Sequence, residues 1–185
     1  ENEETIRIAA EFLSDSDGVV AVDLAGAEAL FPTSDYEKLF AHARAEGIPF
    51  TIHAGEAAGP ESIRQAVDYG TARIGHGVNC IHDKNLMNII AEKGITLELC
   101  PTSNLNTKIV NDIKDYPIDK IINNKIKATI NTDNMTVSGT DEASEMKLIC
   151  DTFGYDGNMR RIFVNNAIDA AFLSDEMKEK LRGNL

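Results

Sequence analysis

The 185 residues carry 18 Lys and Arg against 30 Asp and Glu, a formal charge of −12, with 43 % hydrophobic and 26 % charged residues. Such a composition is that of a globular chain able to bury one core, and its charge repels phosphate backbones and anionic bilayers, which excludes nucleic acid and membrane as partners. Cys80, Cys100 and Cys150 form an odd set without a CxxC, which argues against a disulfide framework or structural zinc knot and for reduced thiols in a cytoplasm.

Two periods alternate along the chain. It opens as "ENEETIR", without a methionine and almost inside a helix, as an internal piece of a longer chain would. Ile6, Ala9, Ala10 and Leu13 recur at helical spacing, and "GVVAVDLAG" then reads as a buried strand ending at Gly26. Ser34 and Glu37 form a capping-box pattern for a helix presenting Tyr36, Leu39, Phe40 and Ala43 and closing at Gly47. "IPFTIHAG" is the next strand, followed by a helix starting at Gly59 and Pro60, carrying Ile63, Ala66 and Val67, and stopping at Gly70. "TARIGHG" is a short strand. Asp83 caps a helix with Leu86, Ile89 and Ile90, which ends at Gly94 before the strand "ITLELC". A polar loop is expected from about Asn104, then a short helix after Pro117 with Ile118, Ile121 and Ile122. "IKATINTD" is the last strand. From about Glu142 the chain reads as helices, with Met159, Ile162, Phe163, Ala167 and Ala170 as one apolar stripe.

Apolar strand runs alternating with helices give parallel βαβ units buried on both faces. Two α/β architectures follow: a doubly wound open sheet, or an arc of a (β/α)8 barrel. A barrel needs eight strands and about 250 residues, so five strands leave it short of three. A doubly wound domain expects a Gly-rich phosphate turn after its first strand, which "DLAGAEALF" does not supply. No long loop, repeat or low-complexity stretch divides residues 1–185, which are expected to form a single domain, incomplete in the barrel case.

Polar groups fall at the strand ends. Asp23 and Gly26, His53 and Glu56, His76, Cys100 to Ser103, and Asp133 each close one of the five strands, and in a barrel those ends converge on the mouth that holds the active site. Each residue also has a plainer reading. His53 suits a core histidine bonded to a carbonyl, and Glu56 suits a charge before the helix at Pro60. His76, between two glycines, suits a tight turn, and Asp133 suits a helix cap. Gly55 allows the chain to turn so that His53 and Glu56 face one cavity, where burial would keep the Glu56 carboxyl neutral. His42 and His82 lie away from the strand ends.

The series "HAGE", "IGHG", "LELCPTSN" and "NTD", with "VDLAGAE" upstream and "VNNAIDAAFLS" downstream, resembles the adenosine deaminase family over essentially the whole chain. The resemblance implies a (β/α)8 barrel with one catalytic zinc, of which this chain is the part from the fourth strand to the C-terminal helices. It implies His53 and Asp133 as metal ligands, and Glu56 as proton donor to purine N1. His76 would position and help deprotonate the zinc-activated water. Gly26 would offer its N–H to the purine, and Asn134 would contact N7. Adenosine and water would then yield inosine and ammonia.

Two departures qualify that inference. No H-x-H occurs, so the chain holds two of four expected protein ligands, and it is expected to be inactive without the missing strands or a second copy. Asn134 stands where the commoner family pattern has an aspartate. An adenine or other aminopurine deaminase is the alternative within the superfamily. A non-catalytic barrel half acting as an interaction protein is the alternative outside enzymes.

Overall fold

The structure is a computed structural model that describes residues 1–14 and 17–184. Five strands, β1 (Val22–Leu24), β2 (Phe50–Ala54), β3 (Arg73–His76), β4 (Thr96–Leu99) and β5 (Lys127–Ile130), form one parallel sheet in the order β1-β2-β3-β4-β5. Every strand therefore pairs with its sequence neighbour and the order never reverses. A doubly wound sheet reverses at its switch point; an uninterrupted parallel series is an arc of a (β/α)8 barrel.

Helices α1 (Asn2–Glu11), α2 (Glu37–Ala45), α3 (Pro60–Tyr69), α4 (Lys84–Lys93), α5 (Pro101–Asn106) and α6 (Ile118–Asn123) precede or join the strands, and α7 (Met135–Ser138), α8 (Glu142–Phe153), α9 (Gly157–Ala170) and α10 (Asp175–Arg182) follow β5. Local chemistry explains several boundaries. Pro60 opens α3 at a position where its missing N–H costs nothing, and Gly70 closes it in the left-handed region. The Asp83 carboxylate accepts the Leu86 N–H at 3.0 Å to cap α4.

The strand register explains the layering. Ile52, Ile74, Leu97 and Ala128 are in register across β2 to β5, and each is fully buried against the helical layer. The alternate residues turn to the other face, where Thr51, Arg73 and Glu98 meet: Arg73 Nε lies 2.9 Å from Glu98 Oε1 and the Thr51 hydroxyl donates to Glu98 Oε2 at 3.2 Å. Arg73 also stacks over the Phe172 ring at 4.1 Å and donates to the Ala170 carbonyl at 3.0 Å, tying the end of α9 to the sheet. Asn166 of α9 donates to the Ala128 carbonyl at 2.9 Å beside β5. Among the described residues the outer edges of β1 and β5 have no strand partner.

Some boundaries differ from the pattern expected of the sequence. The Ser34–Glu37 capping box does not form: Pro32 starts a 3-10 turn at residues 33–36, so the chain is already winding when α2 begins at Glu37 without a side-chain cap. β1 is three residues long, and Leu13 lies beyond α1 and is 37 % exposed. On α9 the buried stripe contains Phe163 and Ile168, with Ile162 49 % exposed, a rotation imposed by packing against β5 and by the Tyr155 ring on Phe163. The stretch from Asn104 is no loop at first: Asn104 lies inside α5 and is fully buried.

Candidate active site

β2 ends at Ala54, and Gly55 (φ +70°) turns the chain back so that Glu56 returns toward His53. A Cβ at Gly55 would sit 2.2 Å from Ile63 Cδ1, so both the backbone angle and the space require glycine. Glu56 Oε2 lies 3.1 Å from His53 Nε2, and Glu56 Oε1 lies 3.7 Å from His76 Nδ1. The two imidazole rings are 4.4 Å apart. Candidate ligand atoms of His53, Glu56 and His76 all fall within 4.8 Å of one another.

A buried amide organises this cluster. Asn104 Nδ2 donates to Glu56 Oε1 at 3.1 Å and lies 3.0 Å from His76 Nδ1, while its Oδ1 accepts the hydroxyl of buried Tyr116 at 2.9 Å. Thr107 adds a hydroxyl donated to Glu56 Oε1 at 3.1 Å. The helix bearing Asn104 is itself held by Glu145, a fully buried carboxylate on α8 that accepts the Thr102 N–H at 3.0 Å and the Thr140 hydroxyl at 2.6 Å.

Asp133 follows β5 beside this group, its Oδ2 accepting the Ser103 hydroxyl at 2.7 Å. It acts electrostatically on both His53 and His76 but is not one of the three mutually close ligand residues. His76 and Asp133 both have left-handed backbone, φ 59° and 56°. Non-glycine residues rarely take that conformation, and such strain concentrates at functional sites. Gly26 (φ +128°) lines a small cavity of about 50 Å³ with Leu24, Phe31, Tyr36 and His53. Asn134, the next residue, accepts the Val137 N–H on its Oδ1 at 3.0 Å as the cap of α7.

The charges correct one expectation. Burial pushes the Glu56 carboxyl up, but contact with His53, the field of His76 and the Thr107 hydroxyl outweigh it and hold Glu56 at about 2. With His53 Nε2 against it, Glu56 is therefore ionised rather than neutral. Burial lowers both histidines; Glu56 reverses the effect at His53, whereas His76 stays below its ordinary value. Burial likewise opposes ionisation of Glu28, and the Ser62 hydroxyl with the amides of Ala58, Gly55 and Ala57 overcomes it, so its pKa is lowered.

The donor set suits a metal ion. His53 Nε2 is buried and has no hydrogen-bond partner, since Glu56 lies close to it but out of line. A buried polar atom left unpaired is costly unless something else meets it, and imidazole nitrogen with carboxylate oxygen is a zinc-type ligand chemistry.

Glu28, Asn79, Asn104 and Thr107 were not singled out by the strand-end pattern. Glu28 and Asn104 lie in the quoted stretches "VDLAGAE" and "LELCPTSN". Glu28 closely follows an apolar run, the one local signal it has; Asn104 lies behind Pro101, Thr102 and Ser103 and has none.

A parallel barrel arc with histidines and carboxylates gathered where its strands end defines a (β/α)8-type chain with a candidate site at its mouth. The family model described as "Adenosine deaminase" matches residues 1–185. An adenosine deaminase from Haemophilus ducreyi is 45 % identical over 185 residues, which is 100 % of this chain and 54 % of the relative. One from Escherichia coli O1:K1 is 43 % identical over 172 residues, 92 % of this chain and 52 % of the relative. The N6-methyl-AMP deaminase of Arabidopsis thaliana superposes with TM-score 0.87 at 29 % identity, over 98 % of this chain and 52 % of its own. An amidohydrolase from Burkholderia ambifaria with bound Zn superposes with TM-score 0.88 at 24 % identity, covering 98 % and 51 %, a likeness of fold.

The chain belongs to the adenosine deaminase family. It spans about half the length of the curated relatives it matches, and its five strands are a partial (β/α)8 barrel, corresponding to strands four to eight with the C-terminal helices.

Proposed function

We propose that this chain is the C-terminal part of an adenosine deaminase, converting adenosine and water to inosine and ammonia. The observation that carries this reading is the meeting of His53, Glu56 and His76 within 4.8 Å at the strand ends of a chain in that family. Zinc is the expected cofactor, held through His53 Nε2 and Asp133 together with ligands from outside the chain. When bound it supplies a water acid enough to act as a nucleophile near neutral pH.

The chain's own residues then divide the proton work. Adenine C6 becomes electrophilic when N1 carries a proton, and Glu56 is placed to deliver one. Delivery requires the neutral acid, so His53 Nε2 must be engaged away from Glu56 Oε2, where it now lies. His76 keeps a low affinity for protons through burial, and with Nδ1 facing the Asn104 amide its neutral ring carries the proton on Nε2, which suits it to position the attacking water. Asn104 holds Glu56 and His76 in one frame. The Gly26 N–H faces the purine, and its missing side chain lets the ring approach. Asn134 contacts N7 in this reading through Nδ2, because Oδ1 serves the cap.

As proposed, the 185 residues alone are inactive and are completed by an N-terminal barrel segment or by a second copy of the chain. The partner is a purine nucleoside, and neither nucleic acid nor membrane is one; the compartment is the cytoplasm. Among the described residues no helix is long and apolar enough to cross a membrane. The test measures inosine formation with added zinc, for the chain alone and for the chain joined to the segment its relatives have and it does not cover. Activity only in the joined protein is expected; full turnover by the chain alone refutes the proposed dependence. An adenine or other aminopurine deaminase is the second reading, favoured by the fold-level likeness to an adenine deaminase and by the N6-methyl-AMP deaminase. A panel of adenosine, adenine and N6-methyl-AMP separates them. Purification of the joined protein without metal would instead favour a non-catalytic barrel.

A further inference from the structure

Glu28 is buried, 6 % exposed, and takes no part in the steps above. It lies in the turn after β1, yet its carboxylate serves the turn after β2. Oε1 accepts the Gly55 N–H at 2.6 Å and the Ser62 hydroxyl at 2.5 Å. Oε2 accepts the N–H groups of Glu56, Ala57 and Ala58 at 3.1, 2.8 and 3.0 Å. These four consecutive amides follow the last residue of β2 and precede α3, so neither the ladder nor the helix offers them acceptors. Asn79, in the 3-10 turn after β3, grips the same turn from its carbonyl side, with Nδ2 donating to the Glu56 and Ala58 carbonyls at 2.9 Å each. The backbone of Glu56 is thus fixed at its N–H by one neighbouring loop and at its C=O by another.

We propose that Glu28 is a positioning residue for Glu56, its carboxylate fixing the 55–58 turn so that the Glu56 side chain points between His53 and His76. The inference rests on the reading of Glu56 as the proton donor. Glutamine at position 28 would keep one acceptor oxygen and turn an NH2 group toward backbone N–H donors. With the NH2 on the Oε1 side the Gly55 bond is lost and Ser62 must reverse to accept; on the Oε2 side the bonds from Glu56, Ala57 and Ala58 are all lost, and either way the turn is loosened. Misplacement of a reacting group by about 1 Å costs on the order of 10²-fold in rate.

The test is Glu28→Gln in the joined, zinc-loaded protein, read by residue-resolved amide exchange and by kinetics. Exchange at residues 55–58 is expected to quicken about 100-fold while β2 residues 50–53 keep their protection, as local release without global unfolding requires. The kcat for inosine formation is expected to fall about 10²-fold with KM changed less than about threefold, the mark of a lost transition-state arrangement. Unchanged exchange at 55–58, or unchanged kcat, overturns the proposal. Should the variant fail to fold, exchange in the unaltered protein decides: Glu56, Ala57 and Ala58 amides are expected to be protected about 100-fold, and exchange at free-peptide rates overturns the proposal. Should the unaltered joined protein form no inosine, the reading of Glu56 fails, whereas the exchange comparison still reports whether Glu28 holds the turn.

Discussion

Asn104→Ala is the perturbation that most fully exercises the site's internal network. Asn104 is fully buried and joins three groups: its amide N–H2 meets Glu56 and His76, and its oxygen accepts the Tyr116 hydroxyl. Truncation strands the Tyr116 O–H at a position 2 % exposed, and an unsatisfied buried hydroxyl costs about 1–3 kcal/mol. Loss of the charge-assisted bond to Glu56 adds about 1.5 kcal/mol, so the variant should lose roughly 2.5–4.5 kcal/mol by urea unfolding at neutral pH. Tyr116→Phe removes the hydroxyl but leaves Asn104 Oδ1 without that donor, and should cost about 1–2 kcal/mol. Because both changes break the same bond, the double variant should lose about 1–2 kcal/mol less than the sum. Additivity within about 0.5 kcal/mol would show that the Tyr116–Asn104 bond contributes nothing, and the reasoning would fail.

Gly55→Ala should destabilise by about 1–3 kcal/mol, since alanine at φ +70° is strained and its Cβ meets Ile63; a denaturation midpoint within error of the parent would contradict this. Leu97→Ala, at a fully buried position in the sheet, should cost about 2–5 kcal/mol in the same assay. The Leu86 amide and the Arg64 guanidinium hold the Asp83 carboxyl below its usual 3.8. Its contribution is therefore complete above that value and lost as pH falls through the lower folded value. Asp83→Asn keeps a capping oxygen but loses the charge, so it should be less stable than the parent at pH 7 with the gap closing in acid; a gap constant with pH contradicts the charge's contribution. His53→Ala should abolish zinc uptake by the joined protein measured by metal analysis, while His42→Ala, an exposed partner of Glu3, should leave it unchanged.

Much of the scaffold was readable because its signals are local. Asp83 as a cap and the Gly70 and Gly94 stops depend on neighbours within a few positions, and each sits in the structure where the pattern puts it; all five apolar runs contain a strand, the first shortened to three residues. The strand-end rule also groups His53, Glu56 and His76, whose candidate ligand atoms lie within 4.8 Å of one another. The choice between a barrel arc and a doubly wound sheet was not legible in the periods, because both consist of the same βαβ units. The unreversed strand order decides it. The roles of Asn104 and Glu28 are not legible in the sequence for a related reason. Their partners lie 28 and 48 positions away for Asn104, and 27 to 34 away for Glu28, so no local spacing records them. The lowered pKa of Glu56 is not legible in the sequence because the Gly55 turn that brings His53 back onto it, and the approach of His76, exist only in the fold.

The shared pocket itself is tested most directly by locating the metal with anomalous X-ray scattering in crystals of the zinc-loaded joined protein. The account predicts one peak about 2.0–2.1 Å from His53 Nε2 and bonded to Asp133, with Glu56 and His76 facing it but not coordinated. A peak ligated by Glu56, or one away from the ends of β2 and β5, would contradict it.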